Sequence, residues 1–67
     1  MAKKYRDVRR ILQRAGWRRL RVEGSHEIWG QCDGRRVVVP AGGKSNHDVP
    51  VGTLASIRQS TGIEELR

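Results

Sequence analysis

The chain has 67 residues, 36% of them apolar, with 14 Lys+Arg against 7 Asp+Glu and a formal charge of +7. A chain this short buries only ~60% of the surface its unfolded form exposes. That leaves a single domain over residues 1–67 with one thin core, and it excludes a large preformed cavity for a bulky cofactor.

The opening MAKKYRDVRR has no apolar run, so neither a signal peptide nor a membrane span is expected, and the chain reads as cytoplasmic. Tyr5, Val8, Ile11, Leu12 and Ala15 recur at helical spacing and predict a helix over Tyr5–Ala15. Arg6, Arg10 and Arg14 form a second stripe on it. Asp7 sits in the first turn, where the helix dipole favours a carboxylate. Gly16 at C′ ends the helix, which places Trp17 at C″ against Leu12 at C3, the apolar contact of a Schellman ending.

Two hairpins follow. Asp33-Gly34 is a strong two-residue turn signal. It pairs Cys32 with Arg35, Gly30 with Val37 and Ile28 with Val39. The earlier turn is open between a Glu23-Gly24 loop and a Glu23-Gly24-Ser25 loop. The longer loop sets Leu20 opposite Ile28 and Val22 opposite His26, and it is preferred because it gathers the apolar residues. One sheet face then carries Leu20, Val22, His26, Ile28, Gly30, Val37 and Val39 beneath the helices. The other carries Arg19, Arg21, Glu27, Trp29, Gln31, Arg36 and Val38, with Arg21 able to pair with Glu27 and Arg19 to lie over Trp29. Trp29 is expected either to shield that open face or to meet a partner. Cys32, the one cysteine, is a small apolar filler in this register.

Pro40 suits the end of an edge strand. AGGKSNHDVP, residues 41–50, is a run of turn formers. Its GGKS lacks the glycine that a phosphate loop needs five positions before Gly43, where Val38 stands. A second helix is expected from about Val51 to Thr61, with Val51, Leu54, Ile57 and Thr61 inward, Gly62 as its stop and Ile63 closing on Ile57. The fold class is α+β: α-β-β-β-α, a three-stranded antiparallel sheet covered on one face by two helices.

The charge excess asks for an anionic partner. Arginine dominates it, and a guanidinium meets phosphate with paired donors, so nucleic acid is the expected anion. Arg6, Arg10, Arg14 and Lys44 are the candidate phosphate contacts. A lone histidine in a small domain is most often structural. His26 differs in its setting: Gly24 lets backbone approach a ligand, Ser25 adds a hydroxyl, and the position is the lip of the core face, where partial exclusion of water favours a neutral imidazole. An uncharged imidazole among phosphate-binding cations suits general-base work on RNA. The base takes the 2′-hydroxyl proton, the oxygen attacks the adjacent phosphorus, and cations stabilise the added negative charge. This chemistry calls for no cofactor, and His26, Cys32 and His47 lack zinc-ligand spacing, so no metal is expected. His47 is expected to be solvent-exposed or a local turn contact, with no general acid identified. The alternatives are a non-catalytic RNA-binding domain on the same basic surface and a protein-interaction domain for an acidic partner.

The stretches LQRAGWRRLRVEGSHEIW, DGRRVVVP and VPVGTLASIRQSTGI, in this order and over nearly the whole chain, resemble the HicA family of toxin messenger-RNA interferases. The resemblance implies a double-stranded-RNA-binding-domain-like fold, cleavage of messenger RNA by the histidine matching His26, and neutralisation by a HicB-type antitoxin protein. No membrane, and no DNA by itself, is expected as a partner. Many members carry a second histidine two residues after the strand-three proline, where this chain has Gly42.

Overall fold

A computed structural model of the protein describes residues 3–41 and 46–66. The first helix, α1 (Tyr5–Arg14), starts where the Asp7 carboxylate accepts the backbone N–H of the N-cap residue Lys4 at 3.2 Å. It buries Tyr5, Val8, Ile11 and Leu12 of the expected stripe, while Ala15, at the C-cap, is exposed. It ends as the sequence predicts. The Gly16 N–H donates to the Gln13 carbonyl at 3.1 Å and the Trp17 N–H to the Leu12 carbonyl at 2.9 Å, the two bonds of a Schellman ending. Trp17 is thereby turned into the core, with the Arg35 guanidinium 5.4 Å from its ring centre.

Strands β1 (Arg18–Glu23), β2 (His26–Gly30) and β3 (Arg36–Val39) form an antiparallel sheet in the order β1-β2-β3. The second register differs from the expected one by one residue throughout, and the first differs only between the turn and Leu20, because Arg18 still pairs with Gly30 and Arg19 with Trp29 as expected. At the first turn Glu23 pairs with His26, so the loop is Gly24-Ser25, and the pairing shifts again through a bulge at Leu20. At the second, Ile28 pairs with Val38 and Trp29 with Val37. For the second register the local reason lies in the DG turn. The Gln31 N–H donates to the Arg35 carbonyl at 3.0 Å and the Gly34 N–H to the Gln31 carbonyl at 2.9 Å. Three residues, Cys32 to Gly34, therefore fill the loop, and Gly34 closes it at φ +96°. This is the turn-plus-left-handed-residue hairpin rather than the two-residue one.

A one-residue slip moves every side chain of a strand to the opposite face. Glu27, Trp29, Val37 and Val39 consequently point into the core. His26, Ile28, Gly30, Arg36 and Val38 take the uncovered face, the reverse of the expected assignment for β2. Leu20 and Val22 are exposed rather than buried, because β1 is an edge strand and exposed along its whole length. Cys32 is an exposed thiol in the turn, not a core filler.

The second helix, α2 (Val51–Thr61), has the predicted bounds and buries Leu54, Ile57 and Thr61. Val51 is 85% exposed, since the first residue of the helix lies beyond the sheet. Gly62 takes the left-handed C-terminal position and its N–H bonds the Arg58 carbonyl at 2.7 Å. The next N–H, Ile63, donates to the Thr61 hydroxyl at 3.3 Å, so this ending is not a second Schellman turn. Both helices contribute to one core, together with Trp29, Val37, Val39, Ala41, Val49 and the fully buried Leu66. Backbone bonds from Tyr5 N–H to the His47 carbonyl (3.1 Å) and from Val49 N–H to the Lys3 carbonyl (2.8 Å) tie the chain before α1 to the segment before α2. No helix among the described residues is long and apolar enough to cross a membrane.

Candidate active site

His26 opens β2 immediately after the Gly24-Ser25 turn, on the uncovered face of the sheet. Its side chain is exposed, and among the described residues it has no hydrogen-bond partner. Antiparallel pairing puts it at the end of the sheet where β3 runs into Pro40. The start of α2 meets the same end, and between them lies a groove of about 350 Å³ lined by His26, Val38, Pro40, Gly52, Thr53, Ser56 and Ile57. The imidazole thus shares a concave surface with two hydroxyls and an apolar floor. The space beside Gly52 is open: a methyl group there would touch nothing among the described residues.

Thr53 and Ser56 are not among the site residues that the sequence predicts, though their spacing carries a signal. They stand three apart on the stripe next to the buried Leu54 and Ile57, where a helix packed on a sheet presents its flank rather than its back.

The arginine stripe is not part of this groove. None of Arg6, Arg10 and Arg14 lines it; all three are exposed along α1, with Arg6 donating to the Asn46 side chain at 2.9 Å. Gly24 and Ser25 are exposed in the turn beside His26 and do not line the groove either. Lys44 and Gly42 lie outside the described residues. His47 is exposed, and its carbonyl serves the start of α1. Among the described residues no three His, Cys, Asp or Glu side chains converge as metal ligands would.

Directly behind His26, on the core face, sits a carboxylate. Glu27 is 3% exposed. It accepts from Arg9 Nε at 3.0 Å on both oxygens, from Arg9 Nη2, and from Trp29 Nε1 at 3.1 Å, with Arg19 Nη1 3.7 Å away. Burial alone would raise the Glu27 carboxyl. The hydrogen bonds from Arg9 and Trp29, with the charges of Arg9 and Arg19, outweigh it and hold the group below its ordinary value. This cluster clamps β2 to α1 and fixes the strand from which His26 projects. Its partners replace those expected: Arg21 pairs with Glu23 instead.

A comparison with known protein families bears on what this groove does. Residues 5–63 match the family described as the HicA toxin of bacterial toxin–antitoxin systems. The chain belongs to the HicA toxin family. The match runs from the first residue of α1 through both hairpins to Ile63, so it includes every described residue of the groove. Membership makes the chain the toxin of a toxin–antitoxin pair, of a broadly ribonuclease type, with an antitoxin as its partner. No curated protein matches the chain.

Proposed function

We propose that this HicA-family toxin is a messenger-RNA endonuclease in which His26 acts as general base. One observation carries the reading: the imidazole is accessible, unbonded among the described residues, and set in a groove beside the Thr53 and Ser56 hydroxyls. One imidazole nitrogen takes the proton of a ribose 2′-hydroxyl. The oxygen forms a bond to the adjacent phosphorus, the bond from phosphorus to the 5′-oxygen breaks, and that oxygen takes a proton from solvent. The products are a 2′,3′-cyclic phosphate and a 5′-hydroxyl end. Charge building on the phosphate is met by hydroxyl donors and by the first turn of α2, whose unpaired N–H groups and positive dipole end favour an anion.

The RNA is held by its backbone rather than by stacked bases. The chain has two tryptophans, one tyrosine and no phenylalanine, and all three rings are buried, so none is available as a stacking platform. Phosphate contacts fall to the exposed Arg10 and Arg14, with Arg6 and Lys44 as further candidates, and Gly24 and Ser25 border the scissile position. A HicB-type antitoxin neutralises the activity.

His26→Ala is expected to lower cleavage by purified protein ~10²–10⁴-fold, the usual worth of a general base. A substrate with a deoxyribose at the cut site should resist the wild-type protein. Undiminished cleavage by His26→Ala overturns the assignment. The alternative, an RNA-binding domain that does not cut, draws on the lack of a cation in the described lining of the groove. It predicts salt-sensitive binding with RNA left intact by the wild-type protein.

A further inference from the structure

The uncovered sheet face holds a second concavity that the nuclease reading leaves unused. About 400 Å³ in volume, it is lined by Gly16, Arg18, Leu20, Gly30, Gln31, Cys32 and Arg36. Gly30 makes it hollow. A side chain there would strike the Leu20 Cδ1 atom, 2.7 Å from the position a Cβ would take, and would crowd Arg36 Nη1 at 3.1 Å. Leu20 and Arg36 thus fold over Gly30 from the two neighbouring strands, yet Leu20 remains 50% exposed. Arg36 is held in place by hydrogen bonds from Nη1 to the Gly34 and Arg35 carbonyls, both 3.1 Å. Neither Arg18 nor Arg36 has an acidic partner among the described residues, whereas Arg9, Arg19, Arg21 and Arg35 do.

An apolar floor between two guanidinium groups without acidic partners among the described residues, that of Arg36 held in place, fits one kind of occupant. We infer that the hollow anchors an acidic segment of the antitoxin protein, with an aliphatic or aromatic side chain on Leu20 and Gly30 and carboxylates on Arg18 and Arg36. The inference rests on the antitoxin partner that family membership implies. Charge complementarity to a +7 chain supplies the long-range attraction. The hydrophobic floor argues against RNA, since bases are held by aromatic rings and this hollow has none. The anchor lies four residues along β2 from His26, about 13 Å at the usual strand rise. Cleavage chemistry therefore does not need the hollow, while an extended segment bound there can run along Val38 towards the groove.

The test uses the purified full chain and its cognate HicB-type antitoxin. Leu20→Asp and Arg36→Glu should each weaken antitoxin binding at least tenfold while leaving RNA cleavage by the free toxin unchanged. Cys32 is the one cysteine, exposed and in the lining, so its maleimide labelling gives a second reading on the unmutated chain. Labelling should slow more than tenfold with antitoxin and not with RNA. If wild type binds antitoxin but both variants bind equally well and Cys32 stays reactive, the anchor is elsewhere and the inference fails alone. If wild type does not bind antitoxin at all, the partner reading fails with it. Protection of Cys32 by RNA, or by raising toxin concentration alone, assigns the hollow to RNA or to a second copy and overturns the proposal.

Discussion

His26 and Glu27 are neighbours in sequence and occupy opposite sides of one thin sheet. Glu27 is sealed and fully partnered, its charge answered by Arg9, Arg19 and Trp29. His26 is open and unbonded among the described residues. On the proposed reading, a chain too small to enclose an active site separates its duties: the carboxylate that holds the fold goes inward with its partners, and the proposed base goes outward without them. In β2 the alternation of a strand does this sorting, since successive side chains leave opposite faces.

The sharpest way to break that contrast is to truncate each residue in turn. Glu27→Ala leaves the Arg9 charge half-buried and removes the acceptor of the Trp29 N–H. Losing one partner of a buried ion pair costs about 3–5 kcal/mol, a large part of the stability of any small domain. Chemical denaturation should show Glu27→Ala largely unfolded without denaturant. His26→Ala should shift stability by less than about 0.5 kcal/mol, as exposed substitutions do, while losing cleavage. Equal effects of the two on stability would mean that the faces are not divided in this way.

The same contrast can be titrated. The folded state holds the Glu27 carboxyl below its ordinary value, so its contribution is present above the ordinary carboxylate range. It is lost as pH falls through the lowered folded value. Denaturation midpoints should therefore drop as pH falls below the ordinary carboxylate range. Glu27→Gln, weaker at pH 7, should show a flatter profile. The acid sensitivity that remains in that variant reports the growing repulsion of a strongly basic chain.

How much of this was legible in the sequence depends on the range of the signal. The Leu12-Gly16-Trp17 ending, the bounds of α2 and the order of elements rest on contacts a few residues apart, and all were readable. The sheet register was not. Ile28 and Trp29 are adjacent, so either parity of β2 buries an apolar side chain, and hydrophobicity alone cannot choose. What chooses is Glu27, which looks misplaced inward until Arg9, 18 residues earlier, is seen to reach it. Arg9 falls outside the Arg6/Arg10/Arg14 stripe on α1. The Gly24-Ser25 turn and the place of His26 at a strand start survive a register slip, but the expected lip of the core face does not, because the side chain lies exposed on the other face. Thr53 and Ser56 needed the tertiary approach of α2 to the end of β3.

A smaller effect probes the groove itself. Ser56→Ala removes a hydroxyl from the exposed flank of α2 without touching Leu54 or Ile57. If that hydroxyl donates to the substrate, cleavage should fall roughly fivefold, since a hydrogen bond is worth about 1 kcal/mol and 1.4 kcal/mol is a factor of ten. The melting temperature should not move. A fall in the melting temperature matching the loss of activity would place Ser56 in the fold rather than in the groove.

Gly52 gives the finest test because stability and activity should move in opposite directions. It lies in the first turn of α2, in a backbone conformation that other residues adopt freely, and a methyl group there meets open space. On folding grounds alone alanine is the better residue, by about 0.4–1 kcal/mol from the lower entropy of the unfolded chain. The fold therefore gives no reason for glycine, but a phosphate approaching the start of the helix beside His26 would. Gly52→Ala should raise the melting temperature by a few degrees and lower the cleavage rate, with the loss appearing as a higher KM if the methyl group blocks binding. A variant that is both more stable and fully active would show that nucleic acid does not enter between His26 and α2, and would move the reacting phosphate to the turn side of the imidazole, near Gly24 and Ser25.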